Sequence, residues 1–116
     1  MTDPLKLLAE AAGRCSSRQE IEGLSDLFDR EIVRLIRERR LKLGLTRGVY
    51  AARAGSKETH VVNVEHRNAR PKITDLYGAA KVLNPKDEDT AWKLAVELQR
   101  QAAKDLLESA QSAAAA

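Results

Sequence analysis

The chain has 116 residues, of which 43% are apolar and 32% charged but only 3% aromatic. A core of this composition must be built from Leu, Ile, Val and Ala, which favours helices and argues against a β-sandwich or barrel. No apolar run reaches the roughly 18 residues that a transmembrane helix needs, and the N-terminus is too short and acidic for a signal peptide. A single cysteine, Cys15, excludes an internal disulfide and fits a reducing compartment. We expect one small all-α protein in the cytoplasm.

The charge distribution is more informative than the net charge of +3. Between Arg30 and Lys81, Lys and Arg clearly outnumber Asp and Glu, while the remaining acids cluster towards the two ends. A basic middle with acidic flanks is typical of a nucleic-acid-binding core. The alternative interpretation is an ordinary solvated helical surface.

The N-terminal part predicts two helices. Asp3 can cap a first helix that begins at Pro4 and ends at Gly13. A capping box at Ser17 opens a second helix, whose apolar stripe continues as far as Leu43. This second helix could be interrupted near Ser25, so the expected total is six or seven helices.

Two short helical patterns stand almost end to end in the middle of the chain. The first covers about 46–54, with Thr46 as its N-cap, and Gly55 follows it at the place where a helix C-terminus favours a positive φ. The second covers about 58–66, with Val61 and Val64 on its apolar face and polar residues opposite. Two helices joined by a turn containing glycine, the second polar on its outer side, are the pattern of a helix-turn-helix.

The C-terminal part predicts two further helices. One covers 72–83 and stops at Asn84 and Pro85, and the last begins at Asp87 or Asp89 and ends in a frayed, alanine-rich tail. We therefore divide the chain into an N-terminal helical extension (1–28), a helix-turn-helix domain (29–84) and a C-terminal helix (85–116).

Residues at matching spacings extend the helix-turn-helix pattern from Arg40 to Leu83. They are Leu43-Gly44-Leu45-Thr46 before the first motif helix, Ala51, Ala54-Gly55, Val61, Val64, Glu65 ten residues after Gly55, and Arg70-Pro71 before the next helix. This stretch resembles the family of the phage lambda and 434 repressors and Cro, the xenobiotic-response-element type of helix-turn-helix. The chain departs from the family's usual residues at Gly48, Val49, Tyr50 and His66-Arg67. The resemblance implies a lambda-repressor-like bundle with helical extensions at both ends.

The resemblance also implies which residues contact DNA. The family reads bases mainly from the positions of Glu58, Thr59 and Asn63, and we add His60 and Val62 on the same helix. Asn can pair with adenine, Glu can accept from the cytosine amino group, and the methyl groups of Thr and Val can contact thymine.

Phosphate contacts are expected from polar residues around the motif. Five residues are assigned to them: Arg47, Lys57, Arg67, Asn68 and Arg70. Arg47 resembles the family's phosphate-binding residue at a helix N-terminus, where anions are favoured. The family pairs an Arg of the preceding helix with a Glu at the end of the second motif helix, which implies a structural ion pair between Arg40 and Glu65.

No residue pattern indicates an enzyme, a metal site or a cofactor. His60 and His66 lie on nearly opposite sides of their helix, and Cys15 has no companion ligand. The leading hypothesis is a homodimeric, sequence-specific transcriptional repressor of a phage, plasmid, conjugative element or autoregulated operon. It would bind a double-stranded DNA operator with two half-sites, and no membrane. The alternatives are an antitoxin that represses its own operon and neutralises a toxin partner, and a scaffold that does not read DNA.

The dimer contact is expected from terminal helices. The apolar stripe of Leu94, Leu98 and Leu106, or that of Leu5 and Leu8, could provide it. The alternative is that both stripes pack within their own chain.

Overall fold

The computed structural model describes residues 3–66, 69–83 and 86–115. Within these ranges the chain is all-α, with no β-strand, as predicted. The described residues form six helices, which are α1 (Pro4–Gly13), α2 (Arg18–Lys42), α3 (Arg47–Ala54), α4 (Glu58–Glu65), α5 (Ile73–Lys81) and α6 (Glu88–Ala115). The predicted phosphate contacts Arg67 and Asn68, and the predicted helix stop at Asn84 and Pro85, lie outside the described residues.

Side chains near the helix ends account for these boundaries. Asp3 accepts a hydrogen bond from the backbone N–H of Leu5 at 2.9 Å, which caps α1. Ser17 caps α2 through the N–H of Glu20, at 3.2 Å. Thr46 caps α3 in the same way, through the N–H of Val49 at 3.2 Å. The three predicted N-caps are therefore confirmed, because each depends only on residues two or three positions apart.

The predicted interruption of the second helix near Ser25 is wrong, because α2 is continuous from Arg18 to Lys42. The hydroxyl of Ser25 accepts a hydrogen bond from the guanidinium of Arg70, at 3.3 Å, instead of capping a new helix. The boundary drawn between residues 28 and 29 consequently falls inside one helix.

The core is centred on α6, which packs against α1, α2 and α5, while α3 packs against α4 and α5. Leu98 is only 1% exposed and Leu106 is also buried, with Leu94 half-buried beside the core. The leucine stripe of the C-terminal helix therefore packs within its own chain. Of the two expectations for this stripe, the structure supports packing in the core and not a dimer contact. None of the described helices is long and apolar enough to cross a membrane.

Candidate nucleic-acid interface

The α3 and α4 helices are joined by the three residues Gly55, Ser56 and Lys57. Gly55 has a φ of 72°, a left-handed conformation that glycine adopts readily. The backbone N–H of Ser56 then donates to the carbonyl of Ala51 at 2.8 Å, which closes the end of α3. This turn lets α4 begin at Glu58, with Val61 and Val64 buried.

The outer face of α4 carries Thr59 and Asn63, which are both exposed. At about 100° of rotation per residue, these two positions lie almost opposite the buried Val61 and Val64. Val62 is half-buried at the edge of the same face. Three of the five predicted base-reading residues therefore lie on or beside one exposed surface.

His60 and Glu58 do not belong to that surface. The ring of His60 lies 2.6 Å from the carboxylate of Asp75, measured between Nε2 and Oδ1, and so faces α5. This corrects its assignment to the outer face. The carboxylate of Glu58 lies against the start of α3, where a Cβ added to Gly48 would be 3.3 Å from Oε2. A side chain at residue 48 would compete with Glu58 for this space. Gly48 therefore leaves room for the Glu58 carboxylate, which the sequence did not indicate.

Arg40 and Glu65 meet in the interior, as the resemblance implied. The guanidinium donates from Nε to Oε2 at 2.7 Å and from Nη2 to Oε1 at 2.8 Å. Their side chains are 8% and 1% exposed. The third nitrogen, Nη1, donates to the carbonyl of Leu45 at 2.9 Å. The pair thus connects α2, the loop before α3, and the end of α4.

Two further arginines approach the same carboxylate. Arg47 donates to Oε1 of Glu65 at 3.2 Å, and Arg37 lies 3.9 Å away and is mostly exposed. Burial by itself would raise the pKa of Glu65, but the hydrogen bonds and charges of Arg40 and Arg47 outweigh burial and lower it. The three guanidinium groups outnumber the carboxylate of Glu65 that they face, so Glu65 alone does not neutralise them.

The other two described residues that were assigned to phosphate, Lys57 and Arg70, differ in whether their charge is paired within the chain. Lys57 is exposed immediately before α4. Arg70 is instead paired with two carboxylates of α2, Asp26 at 2.7 Å and Asp29 at 2.9 Å. Its charge is therefore compensated within the chain, and it fastens the segment after α4 to α2. Its assignment to phosphate stays a prediction, and Asp26 and Asp29 would compete with phosphate for its guanidinium.

Few of the partners that the structure adds have a signal in the sequence. Asp75 accepts a hydrogen bond from the N–H of Lys72 at 2.7 Å, a local capping contact that a Lys-x-x-Asp spacing could have indicated. Its contact with His60, fifteen residues away, has no local signature. The approach of Arg37 in α2 to Glu65 in α4 likewise has no local signature in the sequence.

Comparisons of the chain with protein-family models, with curated proteins and with solved structures give no match. The geometry of α3, α4 and their surroundings is therefore the basis on which a function is proposed.

Proposed function

We propose that α3 and α4 form a helix-turn-helix and that the protein is a sequence-specific, DNA-binding transcriptional regulator of the lambda-repressor-like type. In this proposal α4 is the recognition helix. The protein acts in the cytoplasm as a homodimeric repressor at an operator with two half-sites.

The observation that carries the proposal is the outer face of α4. Thr59 and Asn63 are exposed one helical turn apart, and Val62 adds an apolar edge. A short helix with a polar outer face fits the major groove, where an amide can pair with adenine and methyl groups can contact thymine. Glu58 is held beside Gly48 at the N-terminal end of α4, so it is a weaker candidate for reading bases.

Positive charge beside this face supports the proposal. Arg47 is one-third exposed at the start of α3, and Arg37 lies on the adjoining surface of α2. Lys57 is exposed in the turn between α3 and α4. Cations next to a helix N-terminus are suited to binding phosphate, and phosphate contacts supply most of the affinity for DNA that does not depend on sequence.

The buried ion pair gives the recognition helix a fixed position. Arg40 holds the end of α4 through Glu65 and the start of α3 through the carbonyl of Leu45. Specific recognition requires side chains held within a fraction of an ångström of the productive geometry. We therefore assign Arg40 and Glu65 to structure and not to reading bases.

A dimer contact is best supported by an apolar patch formed by Ile73, Tyr77 and Trp92. The rings of Tyr77 and Trp92 pack with centroids 4.7 Å apart. Ile73 is 61% exposed and Trp92 47% exposed, although both are large and apolar. Such a patch often marks a protein interface. A second copy of the chain is the occupant that a two-half-site operator requires.

Selection of binding sites from a random-sequence duplex library tests the proposal. We expect enrichment of an inverted repeat whose half-site centres lie about 34 Å, or one helical turn, apart. The upstream DNA of the protein's own gene should contain the same repeat if the operon is autoregulated. An adjacent gene for a small toxin would favour the antitoxin alternative. Enrichment of no sequence above the starting library would overturn the proposal.

A further inference from the structure

A cavity of about 180 Å³, partly open to solvent, lies between α2, α3, α4 and α5. Apolar side chains form much of its wall, and four of them come from buried residues: Ile36, Tyr50, Val61 and Val64. Packed protein interiors contain few spaces larger than a water molecule. An engineered apolar cavity of about 150 Å³ holds benzene, so this space can accommodate one aromatic ring.

Polar groups lie on one side of the cavity. His60 and Asp75 both line it, and Asp75 uses one carboxylate oxygen for His60 and the other for the N–H of Lys72. Within the described residues, neither Nδ1 of His60 nor the hydroxyl of Tyr50 forms a hydrogen bond with the protein. Burial raises the pKa of Tyr50, and the carboxylates of Asp75 and Glu65 raise it further. The Tyr50 hydroxyl therefore stays neutral and can donate to a ligand.

The charges around the cavity disfavour an ionic ligand. Glu65 is already bound to Arg40, and Asp75 to His60 and a backbone N–H. Among the described residues that line the cavity, no carboxylate is left unpaired for a cation, and an anion would face two carboxylates at short range. A neutral molecule avoids both penalties.

We propose that this cavity is a binding site for an uncharged, single-ring aromatic molecule carrying a hydroxyl group. The ring occupies the apolar space beside Val61 and Val64, and the hydroxyl exchanges hydrogen bonds with Tyr50 and His60. The site lies behind the outer face of α4 and needs no DNA, so it goes beyond the proposed function and can be tested separately.

Phenol is the probe, and benzene is the matched ligand without a hydroxyl. Titration of the isotope-labelled full chain, followed by amide NMR shifts, should give saturable changes around the cavity with phenol and weaker binding of benzene. Val64→Ile adds one methylene inside the cavity and should weaken phenol binding by about tenfold or more. Val62→Ile makes the same change at the outer edge of α4 and should leave binding unaltered.

Tyr50→Phe keeps the ring and removes only the hydroxyl, so it should weaken binding of phenol but not of benzene. It also provides a second test in case Val64→Ile disturbs the fold. Absence of saturable shifts in the wild-type protein would overturn the proposal. Equal binding of phenol and benzene, or equal phenol binding by Tyr50→Phe and the wild type, would overturn it as well.

Discussion

The carboxylate of Glu65 and the guanidinium of Arg40 are joined by two parallel hydrogen bonds of 2.7 and 2.8 Å, although 25 residues separate them along the chain. Both side chains are buried. A buried charge is tolerated when it is paired and its remaining hydrogen-bonding atoms are satisfied. The third bond, from Arg40 to Leu45, and the approach of Arg47 to Glu65 meet this condition here.

Removal of one member of this pair should strongly destabilise the protein. Glu65→Ala leaves the Arg40 guanidinium buried without its carboxylate, and we expect a loss of about 3–5 kcal/mol in the free energy of unfolding. Denaturant titration measures this loss. The matched control is Glu22→Ala, which breaks an exposed pair with Arg18. Such a pair contributes at most about 1 kcal/mol. Equal effects of the two variants would contradict the structural role of Glu65.

Acid should weaken the protein partly through the same carboxylate. The folded pKa of Glu65 lies below its ordinary value of 4.5. The resulting stabilisation is complete above that ordinary value and is lost as the pH falls through the lower, folded pKa. Glu65→Gln should therefore be less stable than the wild type near neutral pH, and its stability should change less on acidification.

Denaturant titrations at several values between about pH 7 and pH 3 measure this dependence. Glu22→Gln, at an exposed carboxylate, is the control and should retain the wild-type dependence. A pH dependence unchanged by Glu65→Gln would show that other carboxylates are responsible.

Arg47 is expected to contact phosphate. Arg47→Ala should weaken binding to operator and random duplex alike, and should reduce the slope of log K against log salt by about 1. Arg53→Ala is the control, since Arg53 is an exposed arginine of the same helix. Arg70→Ala should change the slope less, because Arg70 is paired with Asp26 and Asp29. An unchanged slope in Arg47→Ala would exclude the proposed docking of α3.

Asn63 is expected to discriminate between bases. Asn63→Ala should lose about 1–3 kcal/mol on the selected operator and little on random duplex, because phosphate contacts remain. Anisotropy titrations with both DNAs measure the difference. Gln19→Ala, an exposed amide far away at the start of α2, should change neither affinity. If Asn63→Ala weakens binding to both DNAs equally, Asn63 contacts the DNA backbone and not the bases. If it weakens binding to neither, the scaffold alternative is favoured.

Trp92 is expected to lie in the dimer contact. Trp92→Lys places a charge in the patch with Ile73 and Tyr77, and should convert the dimer to a monomer with weaker operator binding. Light scattering measures the mass of the particle. Leu27→Lys is the control, because Leu27 is exposed to a similar degree but lies on α2. Truncation of the C-terminal helix is unsuitable as a test, since it removes Leu98 from the core. A Trp92→Lys variant that remains dimeric would exclude this patch.

Local chemistry made most helix boundaries predictable from sequence. The caps at Asp3, Ser17 and Thr46, and the left-handed Gly55, involve atoms within a few residues of one another. Helical spacing also identified Val61 and Val64 as the buried side of α4. For the same reason, Thr59 and Asn63 were correctly expected on the opposite side.

The tertiary structure alone decided which way the remaining side chains turn. His60 could face outwards on its own helix, and faces α5 because Asp75 lies there. Arg70 could extend into solvent, but its guanidinium turns to α2 because it pairs there with Asp26 and Asp29. These two residues lie more than forty positions earlier in the chain. The leucine stripe of α6 could join two chains, but α6 is the helix on which α1, α2 and α5 pack. The sequence determined the periodicity and the caps, which depend on neighbours along the chain, whereas these orientations depend on partners that only packing brings into contact.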